Sequence, residues 1–287
     1  MALLVFLTFL TLFTNSYIPV WMVDNERTHM NTVMVQFGNL KSDVDGLIVN
    51  AEVTGRTDLN MFAPITLGAN GIPIFASATA GQLIYAPYIT GMSALNVSFQ
   101  YKLGNNLRWV FDNGGGMVQL YAPNRYYVQQ WVAFENGAII VKQLDGQTVR
   151  AFPSLDITKT ASNSQLNVSW TSVDFIGVNS TIAGTSTAGL NIDLIYFDSQ
   201  VYDNGTNPSI PALRKDMNVT LAFKTQYGQA WYIYLNNYLK TPLNNLVNNT
   251  DYVLSHNADY SLVTLKLMKI SYFTQNKAIV QISVQMS

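Results

Sequence analysis

The chain has 287 residues, of which 48% are apolar and 11% charged, with 16 basic against 17 acidic side chains and no cysteine. A near-neutral chain with no cluster of Lys and Arg offers no electrostatic footprint for nucleic acid, and the lack of cysteine excludes a disulfide framework and thiolate-based metal or redox chemistry. Charge runs far below the ~25% usual for soluble proteins and is replaced by Asn, Thr, Ser, Gln and Tyr, which suits an extracellular coat or packed lattice better than crowded cytosol.

The first element is a long helix over residues 1–50 with two solvents along its length. Ala2 to Val23 carries no charge and is apolar on every face, with Leu3, Leu4, Phe6, Leu7, Leu10 and Phe13 as its bulk. At ~1.5 Å per residue this run spans ~30 Å, the hydrocarbon thickness of a bilayer. A cleaved signal peptide would show a basic start and a small-x-small cleavage site. Residues 1–23 show neither, so a retained hydrophobic helix is expected, with Tyr17 and Trp21 as interfacial anchors. Pro19 predicts a bend over Asn15 to Pro19, because its ring clashes with the carbonyl four residues back.

From Asp24 the pattern becomes amphipathic. Met30, Val33/Met34, Phe37, Leu40, Val44 and Leu47/Ile48 recur at steps of three and four, and Asp24, Glu26, Arg27, Asn31, Asn39, Lys41 and Asp43 are assigned to the opposite, polar face. The helix is expected to stop between Gly46 and Gly55.

Residues 51–287 read as a β-rich domain, with two β layers or subdomains dividing near 155–165. Short extended pieces (Pro64 to Gly68, Ile72 to Phe75, Gly81 to Tyr85) precede an alternating strand from Leu95 to Leu103. Asp112-Asn113-Gly114-Gly115-Gly116 reads as a hairpin loop between strands 108–111 and 117–121; no Gly-Lys-Ser/Thr follows to make it a phosphate-binding loop. Strands Tyr126 to Glu135 and Ala138 to Gln143 flank Asn136-Gly137, the favoured type I′ hairpin dipeptide. Strands follow at 148–152, 154–159, 166–175, 177–183, 190–197 and 217–225, with an exposed loop at 202–211. Helical spacing over Gln226 to Lys240 predicts one surface helix, and strands at 252–254, 262–273 and 278–284 complete the domain, the last two joined by a turn at Gln275-Asn276-Lys277. The fold class is therefore α+β: a long N-terminal hydrophobic and amphipathic helix followed by a predominantly antiparallel β-sandwich.

Six N-x-S/T acceptor sequences, headed by Asn96, Asn167, Asn179, Asn204, Asn218 and Asn248, are candidate N-glycosylation sites. Strand alternation around Asn96, Asn167 and Asn218 turns their neighbours inward and the Asn outward. Catalytic signals are sparse. His29 and His256 have no partner at metal-ligand spacing, the acids Asp198 and Asp203 lack the EF-hand ligand order, and no nucleophile-elbow or P-loop pattern occurs. A carboxylate pair for sugar chemistry would have to use Glu135 or Glu52 and the aspartates, with Trp109, Trp131, Trp170 and Trp231 as stacking platforms or core. No enzyme, cofactor or metal is expected.

At Tyr17-Ile18-Pro19-Val20-Trp21, Glu26, His29-Met30, Phe37 and Leu40-Lys41, and again at Pro64-Ile65-Thr66-Leu67-Gly68, Ile72-Pro73-Ile74-Phe75, Asn124-Arg125-Tyr126-Tyr127 and Glu135-Asn136-Gly137-Ala138, the chain resembles archaeal surface proteins with a type IV pilin-like amino terminus. It departs from that pattern in having no Lys/Arg-Gly processing site before the apolar run and no acidic residue near its start. The resemblance implies a homopolymer packed through the N-terminal helices, which are stored in the membrane before assembly, with the β domain outside the cell and available to surface glycans. The alternative is a monomeric, membrane-anchored binding protein or adhesin.

Overall fold

The computed structural model describes the whole chain except residues 104, 161–164, 204–211, 214–217, 242–243, 245 and 287. Its N-terminal 54 residues form one helical rod: α1 (Ala2–Leu12), a π-helical turn (Phe13–Tyr17) and α2 (Ile18–Thr54). The π turn lies where Pro19 calls for an interruption. Ile18 N–H bonds back to the Phe13 carbonyl, five residues earlier, and this widened turn receives the ring that a regular turn would exclude. The rod ends at Gly55, whose φ of 71° closes the last turn in the left-handed region that glycine enters freely.

The β-rich domain consists of β1 (Asn60–Thr66), β2 (Gly81–Pro87), β3 (Ser93–Leu103), β4 (Asn106–Ala122), β5 (Gln130–Glu135), β6 (Ala138–Gln143), β7 (Gly146–Ala151), β8 (Leu155–Lys159), β9 (Leu166–Ile176), β10 (Ser180–Gly184), β11 (Thr187–Asp203), β12 (Ala212–Leu213), β13 (Val219–Thr225), then α3 (Gly228–Leu239), β14 (Tyr252–His256), β15 (Leu262–Leu267) and β16 (Ile270–Met286). One sheet runs β10-β2-β4-β5-β6-β7. A second holds β8-β9-β16-β11-β1 and β14-β15-β13-β3-β4, with β12 lying between β11 and β3. Pairing between the described strands is antiparallel except for β9 with β16 and the single pair joining β11 to β12. The expected architecture, a long apolar helix followed by a predominantly antiparallel β domain with one further helix, is the one observed.

The first sheet is covered on both faces, which is why Trp131 to Phe134 and Ala138 to Val141 read as apolar runs without alternation. Leu83, Tyr85, Val118, Leu120, Val132 and Phe134 face a core filled by the stripe of α2, while Ala86, Met117, Ala133, Ala138 and Ile140 face a second core that contains Trp170, Phe223, Trp231 and Leu235. Residues from both sides of the 155–165 stretch line each core, and β9 and β16 pass from one to the other along their length.

Two expected turns lie inside long strands. Asp112 to Gly116 belongs to β4, which pairs with β3 up to Gly115 and with β2 from Gly116 onward. The glycines mark a corner between sheets, with φ of 116° at Gly115 and 89° at Gly116. A Cβ on Gly114 would lie 1.8 Å from the Asp174 carboxylate, so the strand passes the buried acid only because that position is bare. Gln275-Asn276-Lys277 lies within β16, and the break in this stretch falls instead at Met268-Lys269, between β15 and β16, where Lys269 takes φ of 58°. The two misread segments meet: Lys277 Nζ bridges Asp112 and Asp174, Gln275 Nε2 donates to Asp112 at 2.8 Å, and Gly115 N–H donates to Asp174 at 2.8 Å.

The Asn136-Gly137 turn joins β5 to β6 as expected, with φ of 48° and 76°. Just before it, Glu135 is fully buried and pins α3 to the sheet: Trp231 Nε1 donates to it at 2.6 Å and Thr225 Oγ1 at 2.8 Å. Burial pushes its carboxyl up to about 7 in spite of these bonds. An acid whose folded pKa lies above its unfolded one weakens the fold as pH rises from the unfolded value to the folded one. Denaturant unfolding of the detergent-solubilised chain should therefore show stability falling between about pH 4.5 and pH 7, and Glu135→Gln should remove on the order of 3 kcal/mol of that fall. The part due to Asp174, raised by burial to about 6, should remain in the variant.

Candidate functional site

No residue from Ala2 to Leu12 is buried. Leu3, Leu4, Phe6 and Leu7 are exposed, Leu10 and Phe13 half-buried, and the rod leaves the β domain as a bare apolar helix long enough and apolar enough to cross a membrane. Its threonines are satisfied from within: the hydroxyls of Thr8, Thr11 and Thr14 donate to the carbonyls of Val5, Leu7 and Leu10 at 2.7–2.9 Å. One face carries a ladder of rings at steps of four, Phe9, Phe13, Tyr17 and Trp21, with neighbouring centroids 5.9–6.4 Å apart.

Beyond Trp21 the rod becomes part of the head. Met30, Val33, Phe37, Leu40, Val44, Leu47 and Ile48 are buried as the spacing predicts, with Met34 half-buried, and the stripe extends beyond the expected residues to Met22 and Ala51. The assignment of Glu26 to the polar face is corrected by the structure. Glu26 is fully buried, a step of four from both Met22 and Met30, and thus in register with the stripe. Its carboxylate accepts the backbone N–H groups of Arg125 (3.0 Å), Tyr126 (2.8 Å) and Tyr127 (2.6 Å) and the hydroxyl of Thr79 (2.7 Å). Burial pulls its pKa up, but the donors from Arg125, Thr79, Tyr127 and Tyr126 outweigh that and hold the carboxyl below its ordinary range. Three consecutive N–H groups aimed at one carboxylate cannot also serve a ladder, so the expected strand start at Tyr126 is a loop and β5 begins at Gln130.

The same face of α2 grips the end of β1. His29 Nε2 meets the Thr66 carbonyl at 2.9 Å, and Gln36 accepts from Thr66 N–H at 2.9 Å while donating to its hydroxyl at 3.0 Å. Burial lowers the His29 pKa, so the imidazole is neutral and Nε2 is the protonated nitrogen.

Between Thr66 and β2 the chain forms a narrow ribbon beside the rod. Ala69 and Thr79 exchange backbone bonds of 2.9 and 3.0 Å, as do Ile72 and Ala76 at 2.9 Å, and the ribbon turns over Pro73-Ile74. Arg125 Nη2 clamps its base through the carbonyls of Ser77 (2.7 Å) and Ala78 (3.2 Å). Asn25 Nδ2 donates to the Asn70 carbonyl at 3.1 Å, and the Phe75 ring lies edge-on to Phe13, 5.4 Å between centroids.

Asn96 and Asn167 are half-buried and alternate with buried neighbours, Asn218 is half-buried beside the buried Val219, and Asn179 and Asn248 are exposed. Asn204, with most of the expected loop at 202–211, lies outside the described residues. Trp170 and Trp231 are core, Trp131 is half-buried and stacked on Tyr121, and only Trp109 of the four is open, stacked on Phe111. Glu135 is sealed from solvent, and among the described residues no three His, Asp or Glu converge to hold a metal. The chain matches no protein-family model, no curated protein and no solved structure.

The joint at Glu26 should be sensitive to charge rather than to size. Glu26→Ala leaves three N–H groups and a hydroxyl without their acceptor, while Glu26→Gln keeps the shape but turns an N–H₂ toward donors; each lost partner costs ~1–3 kcal/mol before water enters. Both variants should lower the unfolding free energy by ~3 kcal/mol and expose the amides of Arg125 to Tyr127 to hydrogen exchange. A Gln variant at wild-type stability would refute the arrangement. Because the folded pKa is depressed, the contribution is present above the unfolded value of 4.5 and is lost as pH falls through the folded one.

Proposed function

We propose that the protein is a structural cell-surface subunit of type IV pilin-like design, held in the membrane by Ala2 to Val23 and packing these helices in the core of an extracellular filament with the β head outward. The observation that carries this reading is the single uninterrupted rod, bare and charge-free at one end and locked into a β core at the other. The residues on which the pilin-like resemblance rests add support, because many meet at the joint: Glu26 with Arg125 to Tyr127, His29 with Thr66, and Phe75 with the ring ladder. Surface glycans on the outward Asn residues and adhesion through the head fit the same reading. A monomeric anchored binding protein is the second reading, favoured by the open Trp109–Phe111 pair, whose stacked rings suit contact with a sugar face.

Filament packing and simple anchoring respond differently to side-chain shape, since lipid is as apolar as leucine whereas a packed helix core is felt residue by residue. Phe6→Ala with Leu10→Ala should abolish filaments seen by electron microscopy while leaving membrane extraction and head unfolding unchanged, because truncations in a packed core cost ~2–5 kcal/mol and recur at every subunit. Wild-type filament yield from the double variant, or the absence of filaments from wild type under all conditions, would move the assignment to the anchored binding protein. Protease added to intact cells should remove residues beyond about 54, where the rod ends. Cleavage only after lysis would invert the topology.

A further inference from the structure

The ribbon of residues 69–79 is apolar where nothing in the head requires it. Ile74 at its tip is fully exposed yet holds φ of 73°, a turn position that Gly or Asn occupies without strain and that a β-branched residue disfavours strongly. Phe75 beside it is also exposed on its outer side. A strained, fully exposed isoleucine contributes nothing to the core, so what selects it lies outside the head.

The direction of the ribbon identifies what that is. Its base lies beside Asn25 and its tip beside Phe13, so it runs about 18 Å along the rod toward the N-terminus, taking ~1.5 Å per helical residue. The tip therefore sits alongside the charge-free run, and any apolar medium that surrounds Phe9 to Trp21 also surrounds Ile74. Polarity is graded in the same direction: Arg125, Asp24 and Arg27 cluster at the base, whereas no charged residue occurs from Leu59 to Tyr101. Part of the tip's backbone is paired within the ribbon. Ile72 exchanges both bonds with Ala76, its carbonyl accepts a second N–H from Phe75 at 3.1 Å, and Pro73 has no N–H to lose. The Phe75 ring extends the aromatic ladder that ends in Tyr17 and Trp21, residue types that favour the bilayer interface.

We infer that this ribbon is a second membrane contact, a wedge whose Ile74 and Phe75 enter the bilayer beside the helix and fix the tilt and rotation of the head on the membrane before assembly. The inference rests on the reading of Ala2 to Val23 as a membrane helix. The occupant is lipid rather than a second copy of the chain because the wedge and helix form one continuous apolar surface within a single subunit, with the charged groups confined to the end where headgroups would lie.

The absence of native cysteine makes the test direct. Ile74→Cys, Val20→Cys and Val178→Cys, each in the otherwise unchanged full chain, are labelled with an environment-sensitive nitrobenzoxadiazole and reconstituted at high dilution into phosphatidylcholine vesicles carrying nitroxide on the acyl chains. Val20 reports the helix, and Val178, near the end of β10 remote from the ribbon, reports the head. The label at 74 should lose emission within about twofold of the label at 20, while that at 178 is unaffected. Emission at 74 that matches 178 overturns the inference, whether or not filaments later quench it. The label at 20 then separates the causes: quenched, the anchoring reading stands without the wedge; unquenched, the anchoring reading falls as well.

Discussion

The arrangement depends on one buried carboxylate. Glu26 lies at the point where the rod stops being apolar on all sides and becomes the centrepiece of a β core, and it is met there by three backbone N–H groups of one loop and a hydroxyl from the base of the ribbon. A charge is costly to bury unless it is closely hydrogen-bonded, and that requirement fixes three elements at once: the rotation of the helix, the shape of the loop at 124–127 and the seat of the ribbon. Apolar packing alone would leave the stripe of α2 free to slide by a turn; a single anion in a ring of donors has only one register.

The second buried glutamate solves the same problem on the other side of the sheet. Glu135 sits on a strand and receives Trp231 from α3, where Glu26 sits on a helix and receives a loop. The two differ in how much protein encloses them as well as in their donors, and their pKa directions differ accordingly. Three peptide N–H groups and a hydroxyl hold Glu26 ionised, whereas an indole and a hydroxyl do not offset full burial at Glu135. The Asp112–Asp174–Lys277 cluster occupies the corner where β4 changes sheets, so that corner too is held by a buried acid.

The helix, its apolar stripe, the Asn136-Gly137 hairpin and the alternation of the strands were all legible in the sequence, because each is a local pattern with one physical solution. Glu26 was misassigned by residue type although its spacing from Met22 and Met30 was correct; periodicity outranked polarity, and only a partner loop a hundred residues away made that possible. By composition the segments 112–116 and 275–277 read as turns. Their glycines and polar residues serve instead a crossing of two long strands over a buried acid, a demand that arises only when β4, β9 and β16 are brought together. The ribbon was seen as extended residues around Pro73, but its orientation along the helix depends on Asn25, Arg125 and Phe13 and has no signature in its own sequence.

The rod has no linker between its two halves, and this has a mechanical meaning. A pull on the head is delivered to α2 along the helix axis, so the stripe from Met22 to Ala51 resists in shear, with its buried contacts strained together, rather than being peeled away one turn at a time. The π turn at Phe13–Tyr17 lies on the same line, and its hydrogen-bonded ring is already wider than that of a regular turn. Load on the head would therefore reach the apolar segment through a helix strained in shear rather than through a hinge.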